Sequence, residues 1–237
     1  MSNPQTANGN FSELSLERIS IAATLPVGFR HRPVQNPKLL AIFLHGYSDH
    51  GGSLLRRLFS DGSHVTHGDL EHVAILAPNG PFPVPVKNED GWKKAYAWYF
   101  YDMETDQMII PPDAAIGAIK KLVQENGYET LPKVIVGFSQ GGFLAPALGQ
   151  SLKNVHEIIG IGTGYRTDYY PANTNWVVSG FHGTEDEVIS FEQAAEMHDR
   201  VLRQGFDGQF VAFPALKHTA SSEIGEAVVK RIKHWLR

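Results

Sequence analysis

Apolar residues along the chain fall into short, nearly continuous runs separated by longer stretches of mixed character. The runs are rich in β-branched residues, which is typical of strands buried on both faces of a parallel sheet. Runs of this kind predict strands at residues 18–23, 39–44, 72–77, 133–136, 157–161, 176–181 and 209–213. We therefore expect a sheet to form the centre of the core.

Between the runs lie segments with the spacing of amphipathic helices, at residues 114–125, 191–204 and 222–236. The first follows two prolines and Asp113, which are helix-start signals, and the second is followed by Gly205, which is a stop signal. Strands alternating with helices predict an α/β fold, with a mostly parallel central sheet and helices on both faces. In such folds, ligands bind beyond the carboxyl ends of the strands.

One segment departs from this alternation. Residues 78–98, PNGPFPVPVKNEDGWKKAYAW, hold four prolines followed by two tryptophans. Prolines stiffen a chain segment, so the pattern predicts a long loop. Such a loop would be either a lid or wall of a binding site or a plain surface excursion.

Composition narrows the function classes without choosing among them. The 237 residues suffice for one α/β domain, predicted over residues 13–237 after a mobile polar tail of residues 1–12. A net charge of −4 disfavours nucleic-acid binding. No apolar stretch predicts a secretory signal or stable membrane insertion. The chain has no cysteine, which fits a reducing compartment, so a cytoplasmic location is expected.

The most specific local pattern is a serine between glycines at the end of a predicted strand, in the segment KVIVGFSQGG. A strand that turns abruptly into a helix forces the intervening residue into strained dihedral angles. Glycines at 137 and 141 remove the Cβ atoms that would clash there. Ser139 is therefore predicted to be an exposed nucleophile. Pro146 predicts a kink or irregularity in the helix, beyond its first turn.

A serine hydroxyl needs a general base, and a histidine base needs a carboxylate that fixes its tautomer. After a serine on such a strand-to-helix turn, the acid comes next along the chain and the histidine last. His218 has the required position, in the loop between the last predicted strand and the last helix. The candidates for the acid are Glu185, Asp186 and Glu187, in one loop after a predicted strand, and Asp168 after an earlier strand.

Negative charge that develops on a carbonyl oxygen needs two amide donors, an oxyanion hole. One would be the amide of Gln140, at the N-terminus of the helix after Ser139. The other would be the amide of Tyr47, in a turn after the second predicted strand, where Gly46 allows close approach. His45 itself is predicted to be structural, holding this turn by side-chain hydrogen bonds.

Five segments together resemble the phospholipase/carboxylesterase family of α/β-hydrolases, the group that contains the acyl-protein thioesterases. They are FLHGYSDHGG, APNGPFPVPVKNEDGWKKAYAWYFYD, GFSQGG, HGTEDEVI and FPALKHT, in family order over most of the chain. The resemblance implies an α/β-hydrolase fold and a serine esterase or thioesterase. It implies Asp186 as the acid beside Ser139 and His218, with Tyr47 and Gln140 supplying the oxyanion amides.

The chain departs from the family pattern at Tyr47 and Ser48, at Pro146, and in the tyrosine-rich segment at residues 162–170. These positions border the expected pockets, so the sequence leaves acyl length and leaving group open. The candidates for an aromatic-lined substrate pocket are Trp92, Trp98, Tyr99 and Tyr165.

The predicted function is hydrolysis of a small-molecule or acyl ester, or of a thioester, with no cofactor or metal. One alternative is a non-catalytic binding protein with the same fold. Another is metal-dependent hydrolysis, suggested by the close spacing of His64, His67, Asp69 and His72. The oligomeric state is open between a monomer and a small homo-oligomer.

Overall fold

The computed structural model describes residues 27–59, 67–102, 104–171 and 174–236. The predicted tail at residues 1–12 and the predicted strand at residues 18–23 lie outside these ranges. The described strands are β1 (Phe29–Arg32), β2 (Leu39–Leu44), β3 (Val73–Pro78), β4 (Phe82–Asn88), β5 (Gly91–Ala97), β6 (Phe100–Asp102), β7 (Gln107–Ile110), β8 (Lys133–Phe138), β9 (Val155–Ile161), β10 (Val177–Gly183) and β11 (Asp207–Phe213). The described α-helices are α1 (Gly51–Phe59), α2 (Asp113–Glu125), α3 (Gln140–Ser151), α4 (Phe191–Arg203) and α5 (Ser222–His234).

A seven-stranded sheet with the order β1-β3-β2-β8-β9-β10-β11 forms the centre of the described structure. All its neighbouring strands run parallel except β1, which pairs antiparallel with β3 at one edge. Every residue of β2, β3 and β8 is buried. These strands carry continuous apolar runs because helices cover both of their faces.

The side chains of β2 show how the sheet divides the core. Leu40, Ile42 and Leu44 belong to one cluster of buried residues, which also takes in buried residues of α2, α3 and α4. The alternate residues of β2 belong to a second cluster, with buried residues of α1 and α5. Each face of the sheet therefore has its own core, as the alternation of side chains along a strand requires.

The predicted α/β fold is confirmed. Apart from the first, the predicted strands correspond to β2, β3, β8, β9, β10 and β11, with ends that agree within two residues. The three predicted helices correspond to α2, α4 and α5 with the same tolerance. Strand β1 and helix α1 were not predicted, because the first is a short polar edge strand and the second begins with two glycines.

The prediction of a long loop at residues 78–98 is wrong. Strands β4 and β5 form an antiparallel hairpin in that segment, and β6 and β7 form a second hairpin directly after it. Proline lacks an amide donor, which argues against a central strand but not against a strand with an open edge. Pro83 and Pro85 alternate along β4, so both missing donors fall on the same edge of this two-stranded ribbon.

Helix α3 includes Pro146, and the kink or irregularity expected there stays a prediction. The proline ring is buried, and this burial offsets the hydrogen bond that its nitrogen cannot make. The first turn is intact, as predicted, because the carbonyl of Ser139 accepts hydrogen bonds from the amides of Gly142 at 2.8 Å and Phe143 at 3.2 Å.

Candidate active site

Ser139 occupies the junction between a buried strand and a helix. Strand β8 ends at Phe138 and helix α3 begins at Gln140, so one residue makes the whole change of direction. Its backbone has φ of 51° and ψ of −117°, in a region that residues with a Cβ rarely adopt. The Ser139 amide donates to the carbonyl of Ile161 at 2.9 Å, which ties the junction to β9.

The glycines around Ser139 are required by close backbone contacts. A Cβ at Gly137 would lie 2.3 Å from the carbonyl oxygen of Gly141, and a Cβ at Gly141 would lie 2.3 Å from that of Leu44. Both contacts are with backbone atoms, which cannot rotate away. The strand-to-helix turn predicted from the sequence therefore exists, and larger residues could not form it.

His218 and Asp186 lie together in loops after β11 and β10. The Nδ1 of His218 is 2.8 Å from Oδ2 of Asp186, and Oδ1 of Asp186 accepts hydrogen bonds from the amides of Val188 and Ile189, each at 2.9 Å. A carboxylate only accepts hydrogen bonds, so Nδ1 of His218 carries a proton and Nε2 of the neutral ring is free to accept one.

The pKa of Asp186 is lowered although the side chain is buried. Burial alone would raise it, but the hydrogen bonds from the Ile189 amide, from His218 and from the Val188 amide outweigh that effect. Stabilisation of the charged form by hydrogen bonds keeps this carboxyl ionised beside the histidine.

The structure brings only one of the four candidate acids to His218. Glu187 is exposed and pairs with Lys217 at 3.2 Å. Asp168 pairs with Arg166 at 3.3 Å, in a separate short 3₁₀ helix at Thr167–Tyr169. Glu185 is exposed and lies in the same loop as Asp186. Only burial and backbone contacts distinguish the acids, and neither could be read from a run of three consecutive carboxylates.

A second imidazole lies next to Asp186, a contact that sequence reasoning did not predict. The Nε2 of His182 lies 2.9 Å from the carbonyl oxygen of Ile189 and 3.3 Å from Oδ2 of Asp186. His182 is fully buried, and its ring stacks on Phe210 with centroids 5.9 Å apart. Its position four residues before Asp186 was the available signal. The carboxylate of Asp186 therefore has a buried imidazole beside it as well as His218.

A cleft of about 490 Å³ opens above the junction, and Ser139 and His218 both line it. The rings of Phe138 and His218 are 5.0 Å apart at their centroids, so the loop that carries His218 meets the end of β8 next to the serine. Gly162 packs under the histidine, because a Cβ there would lie 3.4 Å from Nδ1 of His218 and 3.3 Å from Oδ2 of Asp186.

The loop after β2 lies against Ser139. A Cβ at Gly46 would be 3.4 Å from that of Ser139, and the next residue, Tyr47, lines the cleft. Gln140 is the first residue of α3. Its side chain accepts a hydrogen bond from the Trp98 amide at 3.0 Å and donates one to the Tyr99 carbonyl at 2.9 Å. The two residues expected to supply the oxyanion amides therefore flank the serine.

His45 has the structural role predicted for it. Its Nδ1 donates to the Gly46 carbonyl at 2.7 Å and its Nε2 accepts from the Gly80 amide at 2.9 Å. The ring stacks on Trp98 with centroids 4.5 Å apart. Burial lowers the pKa of His45 to about 4, although the hydrogen bond to Gly46 opposes this. The ring is therefore neutral at physiological pH and holds the loop by one donor and one acceptor.

The four aromatic residues predicted to form a substrate pocket do not line the cleft. Trp98 and Tyr165 are buried in the core, where the Trp98 indole donates to the His45 carbonyl at 2.7 Å and the Tyr165 hydroxyl donates to that of Gly160 at 3.2 Å. Tyr99 is partly buried against the same core, whereas Trp92 is 71% exposed on the β4–β5 hairpin. Hydrophobicity alone did not distinguish core aromatics from pocket aromatics.

The described residues contain no group of three or more side chains that could hold a metal ion. Of the segment that suggested one, His64 lies outside the described residues, and Asp69 accepts a hydrogen bond from Lys233 at 2.6 Å. In the described part of the chain, no helix is long and apolar enough to cross a membrane.

The fold and the serine turn are those of an α/β-hydrolase. A family model described as Phospholipase/Carboxylesterase matches residues 31–236, and the chain therefore belongs to that family.

Curated relatives have similar lengths. Acyl-protein thioesterase 1 homolog 2 of Dictyostelium discoideum is 26% identical over 76% of this chain and 85% of its own. Acyl-protein thioesterase 1 homolog 1 of the same organism is 23% identical over 91% of this chain and 99% of its own.

Solved structures share the fold. SOBER1 of Arabidopsis thaliana matches with a TM-score of 0.61 and 21% identity, covering 84% of this chain and 99% of its own. Esterase PE8 matches with a TM-score of 0.64 and 20% identity, covering 88% and 98% of the two chains. The family and the curated relatives identify the chain as a hydrolase of the esterase or thioesterase type.

Proposed function

We propose that this chain hydrolyses carboxylic esters or thioesters through an acyl-enzyme intermediate on Ser139, with His218 as general base and Asp186 as its orienting carboxylate. The observation that supports this most is the 2.8 Å contact between His218 Nδ1 and Asp186 Oδ2, in loops that meet the positive-φ serine at one cleft. A serine, a base and an acid in this order form the minimal machinery of acyl transfer.

The mechanism follows from the proton positions. With its Nδ1 proton donated to Asp186, His218 presents Nε2 as a base, which takes the hydroxyl proton as Ser139 Oγ attacks the carbonyl carbon. The imidazolium formed is stabilised by Asp186 and returns the proton to the departing alcohol or thiol as the bond to it breaks. Water then repeats the attack on the acyl-serine, with His218 again taking the proton, and releases the acid.

In this proposal, the backbone amides of Tyr47 and Gln140 donate hydrogen bonds to the negatively charged oxygen of the tetrahedral intermediate. Gln140 begins α3, where unsatisfied amides and the helix dipole favour an anion. The Tyr47 peptide follows Gly46, whose missing Cβ lets the loop approach Ser139. Loss of one such donor costs about 2.7 to 4 kcal/mol in comparable enzymes.

The proposed substrates are small-molecule or acyl esters and thioesters. The names of the two relatives of Dictyostelium discoideum, both acyl-protein thioesterase homologues, support testing thioesters beside oxygen esters. No cofactor takes part in the proposed chemistry. The cytoplasmic location and the extent of the domain stay predictions from the sequence.

Replacing the serine tests this function directly. Ser139→Ala should lower the kcat/KM for p-nitrophenyl butyrate and for an acyl thioester by about 10³-fold or more, because it removes the hydroxyl that attacks the carbonyl carbon. Wild-type protein should be labelled at Ser139 by a fluorophosphonate, which a non-catalytic binding protein would not be. Full activity of the alanine variant, with labelling elsewhere, would exclude the mechanism.

A further inference from the structure

An arginine shares the cleft with Ser139 and His218. Arg57, on α1, donates from Nη2 to Oδ2 of Asp49 at 2.7 Å and from Nη1 to Oγ of Ser53 at 2.8 Å. Both Asp49 and Arg57 line the cleft. No step of acyl transfer uses the Arg57–Asp49 pair. A hydrocarbon group bound in the cleft would cover the remaining N–H groups of Arg57 and remove their water without replacing it, which is unfavourable.

The guanidinium group of Arg57 has N–H donors that Asp49 and Ser53 do not use. A guanidinium carries five N–H groups, and Ser53 and Asp49 accept one each. The other three have no acceptor among the residues that the structure describes, and the side chain is 33% exposed. Arginine forks hold carboxylates and phosphates through paired, charge-assisted hydrogen bonds. The existing bonds to Asp49 and Ser53 hold the fork in place before any ligand arrives.

The position of Arg57 indicates which half of a substrate it would meet. Its Cζ lies 5.4 Å from the centre of the Phe138 ring, and that ring lies 5.0 Å from the ring of His218. His218 delivers its proton to the leaving group, so the leaving group lies on the histidine side of the scissile bond. Arg57 is separated from this histidine by one aromatic ring, that of Phe138.

We propose that Arg57 is a specificity-determining residue that binds an anionic group, carboxylate or phosphate, on the alcohol or thiol half of the substrate. This inference rests on the proposed function and adds the substrate class to it. Asp49 neutralises the charge of Arg57 as seen from far away. The preference for an anionic leaving group therefore arises from direct hydrogen bonds to the guanidinium and not from a long-range electrostatic field.

Matched esters test the inference. 4-Acetoxybenzoate and 4-acetoxyphenyl phosphate carry an anion on the leaving group, and 4-acetoxybenzamide is their neutral counterpart. Phenyl hemisuccinate and phenyl succinamate place the same difference on the acyl half. The readout is the ratio of kcat/KM for the charged ester to that for the neutral ester, because a ratio cancels effects on the shared chemistry.

Arg57→Gln should lower the leaving-group ratio by about 10-fold or more, as expected for loss of one charge-assisted hydrogen bond. The acyl-group ratio should change much less. Arg56→Gln is the matched control, because it removes the same charge from the neighbouring position of α1, where the side chain is exposed and outside the cleft. Comparing the carboxylate ester with the phosphate ester shows which of the two anionic groups Arg57 prefers.

A double variant distinguishes two effects of removing Arg57: the loss of its hydrogen-bond donors and the repulsion of the anion by the unpaired Asp49. In Arg57→Gln alone, Asp49 would repel the anion, whereas Asp49→Asn combined with Arg57→Gln removes both charges. The leaving-group ratio should stay low in the double variant, and recovery to the wild-type ratio would overturn the inference. 4-Hydroxybenzoate should also inhibit the wild-type enzyme more strongly than 4-hydroxybenzamide, and equal inhibition would contradict it without any variant.

The outcomes distinguish this inference from the proposed function. If wild-type protein hydrolyses the neutral and charged esters and Arg57→Gln leaves their ratio unchanged, or if Arg56→Gln changes it equally, the role of Arg57 is refuted and the Ser139 mechanism stands. If wild-type protein hydrolyses none of the esters and Ser139 is not labelled by a fluorophosphonate, both are refuted together.

Discussion

The backbone of Ser139 holds a conformation that its own Cβ opposes. A non-glycine residue with φ of 51° at a strand-to-helix junction is strained by roughly 1 to 3 kcal/mol. Hydrogen bonds from the Ser139 amide to Ile161 and from Gly142 to the Ser139 carbonyl maintain it. The strain is a consequence of presenting a hydroxyl in the cleft, since a relaxed residue would not make the turn.

This strain predicts a stability difference between two inactive variants. Ser139→Gly should be more stable than Ser139→Ala by about 1 kcal/mol, because glycine adopts positive φ freely, although its more flexible unfolded chain cancels part of the gain. Urea unfolding of both variants, followed by circular dichroism, measures the difference. An alanine variant as stable as the glycine variant would show that the turn is not strained.

At the residue scale, position in the chain predicted Ser139 and His218 as candidates, and contacts decided the rest. The order of serine, acid and histidine selected one histidine among several, and the structure places that histidine in the serine's cleft. Asp186 could not be separated from its neighbours by position alone. Arg57 was missed because it lies on α1, a helix that the sequence pattern did not predict.

At the scale of elements, strands and helices of the central layer were predictable because burial on both faces leaves an unbroken apolar signature. The hairpins were not, because β4 shows only alternating partial burial and carries prolines that indicate a loop. Their tie to the candidate site is also invisible in sequence. The Tyr96 backbone on β5 bonds to Ser48 and Asp49, and the Gln140 side chain bonds to the chain just after β5.

Helix α5 is held to the sheet by a buried carboxylate. Glu157 on β9 is fully buried and accepts hydrogen bonds from Ser179 at 2.6 Å, from Arg231 at 2.8 and 3.1 Å, and from the Trp235 indole at 2.6 Å. Every partner is itself removed from much of the solvent. The carboxylate therefore joins two strands and a helix at the end of the sheet opposite to the serine.

Glu157→Ala should lower the free energy of unfolding by about 3 kcal/mol or more, because it leaves the Arg231 guanidinium largely buried without its counterion. Glu125→Ala, which breaks an exposed pair with Lys121, is the control and should cost about 0.5 kcal/mol or less. Replacing Glu157 and Arg231 together by methionine should recover part of the loss. A single variant as stable as wild type in urea would contradict this account.

At the scale of the whole molecule, the parallel sheet brings the candidate residues together. Ser139 follows β8, Asp186 follows β10, His218 follows β11 and the Tyr47 loop follows β2, so all come from carboxyl ends of strands at one edge. This geometry follows from the topology and was predictable once the alternation of strands and helices was recognised. The charged and aromatic character of the cleft was not predictable, because it depends on which side chains of α1 and of the loop after β2 face it.

The pH dependence of global stability reports on His45, which connects the loop after β2 to the chain before β4. In the folded protein, Nε2 of His45 accepts a hydrogen bond from the Gly80 amide. Protonation of Nε2 would turn it into a donor that faces the Gly80 N–H in a buried site. Folding lowers its pKa from 6.5 to about 4, so the unfolded chain binds more protons between these values. Stability should therefore fall as pH drops through that window, by about 3 kcal/mol from this group at about 1.36 kcal/mol per pH unit.

Urea unfolding at intervals from about pH 7 to about pH 4 tests this linkage. His45→Asn should be less stable than wild type at neutral pH but should show a flatter slope over the window, because the group that takes up the proton on unfolding is gone. Burial also lowers the pKa of His198, so both proteins should keep a smaller dependence of stability on pH with the same sign. His234→Gln, at an exposed position on α5, is the control and should keep the wild-type slope. Equal slopes for wild type and His45→Asn would show that protonation of His45 does not oppose folding.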